Sequence, residues 1–205
     1  MTYDLAAATA HLVAVEPRFA PLVAAHGVPT LAPTKDPFAS LASTIVYQQL
    51  AGAAAKTIHG RYLGLYPRRR PRPAAVAATP LERLRSAGLS RGKAMSLIDL
   101  AAHFADGRVK AKALLAAEGD DVARLLLPIR GIGPWSIDMF QMFALGRPDV
   151  WPVGDLGVRI GLQHFLKLRK LPEGARLQQA AARWRPFRSL AAWYMWRVVE
   201  DVRSR

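Results

Sequence analysis

Cysteine is absent from the 205 residues. That excludes disulfides, thiolate nucleophiles, zinc ribbons and cysteine-held iron–sulfur clusters, and it fits a reducing compartment. Apolar residues almost never alternate with polar ones in the β-branched pattern of a strand, so helical periodicity goes unopposed and the expected fold class is all-α. Acidic residues are scarce, 15 against 29 Lys and Arg, which leaves a formal net charge of +14. A folded chain with that imbalance points to a polyanionic partner, nucleic acid ahead of an anionic membrane. The five histidines, His11, His26, His59, His103 and His164, fall at no metal-ligand spacing, so no catalytic metal is expected. The longest uncharged run, between Asp36 and Lys56, contains Pro37, Gly52, several hydroxyls and the pair Gln48–Gln49. It reads as a buried helix pair and not as a membrane span. The opening MTYDLAAATAHLVAVEP has no basic n-region and carries Asp4 and Glu16, so a signal peptide is not expected and a cytoplasmic location is.

Hydrophobic residues make up 51% of the chain, enough for one sizeable core or two small lobes rather than a disordered basic tail. In TPLE, Thr79 is placed to cap a helix, Pro80 to occupy its first position and Glu82 to close a capping box. That element ends by Gly88. Ser90 then starts a second helix, SRGKAMSLIDLAAHFADG, with Met95, Ile98 and Ala102 at helical spacing and Gly107 as its stop. Asp120 or Asp121 starts a third, which runs through Val122, Leu125 and Leu126 to Pro128. The segment YPRRRPRPAAVAATP reads as a proline-broken basic connector.

IRGIGPWSID, residues 129–138, has no Lys or Arg in the six positions after Arg130. A helix ending at Pro128 and another starting at Pro134 leave a tight turn in which Gly131 and Gly133 permit unusual backbone angles and Ile132 anchors the turn in the core. Proline in the first helical position leaves the next N–H groups unpaired, so the backbone itself becomes an anion site. A dinucleotide fingerprint would need glycine in place of Ser136 and a preceding strand, and has neither. A compact αα-corner with no ligand is the bland alternative.

The longer stretch LLPIRGIGPWSIDMFQMFALGRPDVWPVGDLGVR resembles the core of the helix–hairpin–helix DNA glycosylase superfamily, and within it the 3-methyladenine DNA glycosylase II (AlkA-type) branch. FASLASTIVYQQLAGAAAKTIHGR, LRSAGLSRGKA and RWRPFRSLAAWYMWR extend the resemblance over nearly all of residues 36 to 200. It implies a single all-α glycosylase domain over 1–205. One lobe, 38–147, would hold the hairpin, and a second would be assembled from 1–37 plus 148–205, with the active site between them.

The resemblance places the catalytic carboxylate at Asp155, in PVGDLGVR. The same residue also reads as a helix N-cap, and the two roles are compatible, since a helix start favours a charged carboxylate. Asp138, inside the helix after the hairpin, is the rival acid. Bifunctional relatives carry a Schiff-base lysine where this chain has Trp135, and no lysine occurs between Lys112 and Lys167, so a monofunctional, water-using enzyme is implied. Trp135, Met139, Trp196 and Tyr47 are the implied pocket residues, with Trp184 and Trp193 assigned to the core. Gln49, with Gln48 beside it, corresponds to the residue that wedges into the duplex, against the plainer reading of two helix-end glutamines. Gly131, Ile132, Gly133 and Ser136 complete the DNA contacts. The implied partner is double-stranded DNA containing alkylated, cationic bases such as 3-methyladenine and 7-methylguanine. No cofactor is implied beyond a monovalent cation sometimes held by the hairpin, and a monomer near a bacterial nucleoid is expected. Two alternatives are a non-catalytic helix–hairpin–helix DNA-binding protein and a glycosylase for oxidised or mismatched bases.

Overall fold

The computed structural model describes residues 3–30, 33–50 and 52–204, and among them every regular element is helical, in agreement with the all-α expectation. The chain divides into two compact units, Met1–Pro33 with Gln141–Arg205, and Thr34–Phe140. No helix among the described residues is long and apolar enough to cross a membrane.

The first unit opens with α1 (Leu5–Val15), capped by Asp4 through the N–H groups of Ala6 and Ala7, and α2 (Phe19–His26). The chain then builds the whole second unit. There α3 (Pro37–Tyr47) starts with the Asp36 carboxylate accepting from Ala39 N–H and Pro37 in the first turn, and α4 (Gly52–Gly64) follows. These two are the helix pair expected from the uncharged run. Five short or medium helices come next, α5 (Pro73–Ala77), α6 (Leu81–Ser86), α7 (Arg91–Ala105), α8 (Ala111–Ala116) and α9 (Asp121–Leu126). The unit closes with α10 (Pro134–Met139). Tyr62, Leu41, Ile45, Leu84, Leu97 and Leu100 are fully buried and form its core.

Three local expectations in this unit change. The proline-broken connector is folded: Pro67–Arg69 makes a 3-10 turn and α5 begins on Pro73, burying Val76 completely against its neighbours. Thr79 does not cap α6. Its hydroxyl is drawn inward, donating to Ala75 O at 2.7 Å and pairing with the Tyr66 hydroxyl at 3.0 Å, while Pro80 takes the cap position and Glu82 pairs with Arg85. Ser90 does cap α7, but the buried face of that helix is Ala94, Leu97, Leu100 and Ala101. Met95, Ile98 and Ala102 lie on its flank, lining a surface concavity of about 540 Å³ with Leu81 and Pro128. The helix is apolar on more than one side, so periodicity alone selects the wrong stripe.

A π-helical turn (Phe140–Ala144) carries the chain from the second unit back into the first, where an irregular Gly/Pro-rich loop leads to α11 (Leu156–Phe165), α12 (Gly174–Ala181) and α13 (Arg188–Arg203). Residues 141–147, expected with the hairpin lobe, belong to this unit because α13 holds them. Ser189 Oγ donates to Arg147 O at 2.7 Å, Ser189 N–H donates to Pro148 O at 2.9 Å, and the Phe143 ring stacks on Trp196. Trp184 is fully buried among Phe19, Trp151 and Phe165, as a core tryptophan should be. Trp193 is not core: it is half-buried, with the Arg197 guanidinium 4.9 Å above its ring.

Candidate active site

The hairpin between α9 and α10 is built as a turn closed by Ile132 N–H donating to Ile129 O at 3.1 Å. Ile132 is buried, as an anchor must be, and Arg130 N–H is fixed by Asp99 Oδ2 at 2.7 Å. The two glycines have different reasons to be glycine. Gly131 sits at φ +76°, in the left-handed region, and a Cβ there would collide with Ser96, whose own Cβ would be 2.9 Å away. Gly133, at φ −120° and ψ −176°, is ordinary extended backbone, and a Cβ would meet nothing within 4 Å. The expectation that both positions need glycine for their backbone angles therefore holds for Gly131 alone. Ser136, expected among the DNA contacts, is only 2% exposed, and its hydroxyl accepts from Gln48 Nε2 at 3.0 Å. The Ile129, Gly131 and Gly133 carbonyls accept from Ile132 N–H, Gln48 Nε2 and Ile137 N–H. A monovalent cation there would share each carbonyl with a protein donor.

The glutamine pair is also divided by the structure. After α3, Tyr47–Leu50 makes a turn closed by Leu50 N–H on Tyr47 O at 3.3 Å. Gln48 has φ −49° and ψ 132°, and Gln49 has φ +54°, the backbone of a type II turn whose third position favours glycine or asparagine. Gln48 turns inward and spends its amide on Gly131 O and Ser136 Oγ. Gln49 is exposed and held in a conformation that costs a non-glycine residue roughly 1–3 kcal/mol, the kind of strain that marks functional positions. Tyr47 is exposed, its ring edge-on to His59 at 5.7 Å. Burial first, and the Arg69 charge second, hold the His59 imidazole below its ordinary pKa. Trp135 is half-buried on α10 and Met139 is buried there. Asp138, the rival acid, is half-buried on the same helix.

In the first unit, Asp155 caps α11. Its Oδ1 accepts from Val158 N–H at 2.7 Å and from the Trp196 indole Nε1–H at 2.9 Å, and the residue is 9% exposed. A buried carboxylate is tolerable only when such donors replace water. Two glycines make the second bond reachable. On α11, Gly157 and Gly161 are one turn apart on the face toward α13. A Cβ on Gly157 would lie 2.8 Å from Trp196 Cδ1 and 3.1 Å from Asp155 Oδ1, and one on Gly161 would collide with Met195 O. The helices can approach this closely only without side chains there.

The loop leading to Asp155 is irregular yet fastened to the start of α13. Arg188 grips the Asp149 carboxylate in a fork, at 2.6 and 3.0 Å, and Val150 N–H donates to Ser189 Oγ at 2.9 Å. Trp151 is buried with its indole N–H on Leu177 O. One helix thus fixes the loop at its first turn and orients the carboxylate two turns later. Phe143, 39% exposed and stacked on Trp196 with ring centres 5.7 Å apart, adds an aromatic face beside the acid. Sequence reasoning missed Phe143, Gly157 and Gly161. The pair of glycines inside an otherwise helical segment was the available signal. No group of three or more His, Asp or Glu among the described residues could hold a metal ion.

The family model for the HhH-GPD superfamily of base excision DNA repair proteins matches residues 42–186. The putative DNA-3-methyladenine glycosylase YfjP of Bacillus subtilis is 30% identical over 162 residues, covering 76% of this chain but 56% of that protein. The chain therefore spans little more than half the length of that relative. Among solved structures, the 3-methyladenine DNA glycosylase Mag1 of Schizosaccharomyces pombe, in complex with abasic DNA, aligns with a TM-score of 0.86 and 28% identity over 93% of this chain and 95% of that one. The DNA-3-methyladenine glycosidase of Bacillus halodurans aligns with a TM-score of 0.76 and 31% identity over 96% and 91% of the two chains.

Proposed function

From the premise that the chain belongs to the HhH-GPD superfamily of base excision DNA repair proteins, we propose that it is a monofunctional DNA glycosylase for cationic alkylated bases such as 3-methyladenine and 7-methylguanine. The observation that carries this reading is the buried, doubly hydrogen-bonded Asp155 with an aromatic face beside it. Breaking an N-glycosidic bond sends its electron pair to the base and leaves positive charge on the sugar, as in the oxocarbenium-like state of glycoside hydrolysis. A base alkylated at adenine N3 or guanine N7 leaves as a neutral molecule and needs no general acid. What remains is to stabilise the sugar cation and admit water to C1′. A fixed carboxylate with its orientation set by N–H donors does the first without reorganising.

The remaining roles follow from residue type and placement. Trp196 and Phe143 offer π density that favours a cationic base over a neutral one by roughly 0.5–2 kcal/mol per good contact. Trp135 and Met139 are the proposed pocket residues of the second unit. Trp135 in place of a lysine leaves no amine there for a Schiff base, so the product is an intact abasic strand. The hairpin supplies phosphate contacts from backbone N–H groups, and the bare Cα of Gly133 keeps their approach open. Gln49, exposed on its strained turn, is the side chain that fills the gap left by the extruded base. The protein acts as a monomer on duplex DNA, in the cytoplasm beside the nucleoid. Incubating it with methylated DNA and separating the released bases tests the reading: free 3-methyladenine and 7-methylguanine are expected, with no adduct trapped by borohydride. Absence of any released base would refute it.

A further inference from the structure

Lys93 lies in the first turn of α7, where the helix dipole disfavours a cation, and that turn contains no acidic residue to offset it. Its ammonium is directed to the far end of α3. It donates to Val46 O at 2.7 Å and to Gln48 O at 2.5 Å, and no carboxylate among the described residues forms an ion pair with it. The last turn of α3 has no basic residue of its own. Thr44 O and Tyr47 O are satisfied locally, by Gln48 N–H and Leu50 N–H. The carbonyls of Val46 and Gln48 are closed from outside, by Lys93. The ammonium thus acts as a C-cap in trans, and it grips the residue immediately before the strained Gln49. Burial holds its pKa below that of an ordinary lysine, as withdrawal of a cation from water should. From the other side, the Gln48 amide is fastened to Gly131 O and Ser136 Oγ of the hairpin. Gln48 is therefore held at both its backbone and its side chain. Gln48, Gln49 and Leu50 of the turn line a concavity of about 200 Å³ together with Lys93, Ser90 and Ile58.

We propose that Lys93 is a positioning residue for base extrusion: together with Gln48 it fixes the Gln49 turn to the phosphate-binding hairpin, so that seating the hairpin on the backbone also sets the wedge. The inference rests on the glycosylase reading and on Gln49 as the wedge. Lys93 acts on the wedge through the Gln48 carbonyl that it holds. A rigid wedge matters when a paired base must be forced out and matters little when no pair has to be broken. That difference separates positioning from general destabilisation.

The test is single-turnover release of 7-methylguanine from two duplexes, one with cytosine opposite the lesion and one with an abasic site opposite. Lys93→Met should slow release from the paired duplex about tenfold or more, the scale of one lost charge-assisted hydrogen bond, and change the unpaired substrate by less than about twofold. Lys93→Arg, which keeps the charge and donors, should recover part of the loss. Gln48→Leu removes the other brace without touching Lys93 and should show the same selectivity for the paired lesion. It also keeps the idea testable if Lys93→Met fails to fold. Equal loss on both substrates, or no loss on either by a folded variant, overturns the proposal. If wild type releases no 7-methylguanine from either duplex, it is the glycosylase reading that fails.

Discussion

Replacing each hairpin glycine by alanine separates what the turn needs in order to fold from what it needs in order to bind. At Gly131, alanine must adopt φ +76° and place a methyl group against Ser96. The left-handed conformation costs roughly 1–3 kcal/mol, and overpacking in a filled site adds typically 1–3 kcal/mol. Together these give a loss of about 2–6 kcal/mol, a large fraction of the stability of a domain of this size. At Gly133 the backbone is extended and the space around a Cβ is open. Alanine is a poorer N-cap than glycine, but it also restricts the unfolded chain. The two terms oppose each other, and the net change should stay within about 1 kcal/mol. Gly133→Ala should therefore unfold in urea almost as wild type does, while its methyl group enters the open space beside the hairpin through which the proposed phosphate approaches. Its affinity for undamaged duplex, followed by fluorescence anisotropy at several salt concentrations, should fall about tenfold, on the scale of one charge-assisted hydrogen bond. A Gly133→Ala protein that is stable and binds as wild type would refute the phosphate role and reduce the hairpin to a corner between helices. A Gly131→Ala protein of wild-type stability would refute the steric reasoning.

Trp196→Phe keeps an aromatic ring but loses the indole N–H bond to Asp155, so release of cationic and neutral lesions should fall alike, by about 10–100-fold for a lost hydrogen bond to a charged group. Equal rates would show that the Trp196 bond does not orient the acid. Gly157→Ala pushes a methyl group between Trp196 and Asp155 and should depress release without weakening binding to undamaged DNA, which anisotropy would check; a fully active variant would mean that the α11–α13 contact is not tight. Phe143→Leu leaves the Asp155–Trp196 bond alone and removes π surface, so single-turnover rates should fall more for 7-methylguanine than for hypoxanthine. Equal losses would mean that Phe143 only packs.

The helical class, the hairpin and the Asp155 cap were all legible in the sequence because each rests on local chemistry. Proline at a first helical position, an aspartate immediately before a helix and a glycine that turns the chain need no knowledge of distant partners. What stayed hidden depends on contacts far apart in sequence. Gly157 and Gly161 look like poor helix residues until α13 is laid against them. Ser136 reads as a free hydroxyl at a helix start until Gln48, 88 positions earlier, takes it. Thr79 obeys the capping pattern, and a buried tyrosine hydroxyl outbids it. The equivalence of the two hairpin glycines failed for the same reason, because a motif records the residue type and not the backbone angle that each position uses. Gln48 and Gln49 were inseparable as a dipeptide, and one turn divides them into a brace and an exposed tip.

The most direct test of the central claim compares wild type with Asp155→Asn in single-turnover release of 7-methylguanine from a defined duplex, with binding to the same duplex measured alongside. Asparagine can still accept the Val158 and Trp196 N–H bonds, so the cap and the fold are kept while the negative charge is removed from where positive charge develops. The loss of preorganised electrostatic stabilisation should slow release by on the order of 10²–10³, with duplex affinity within about twofold of wild type, since the variant removes no phosphate contact. Release by a folded Asp155→Asn protein at the wild-type rate would contradict the account and move the chemistry to another carboxylate, Asp138 first.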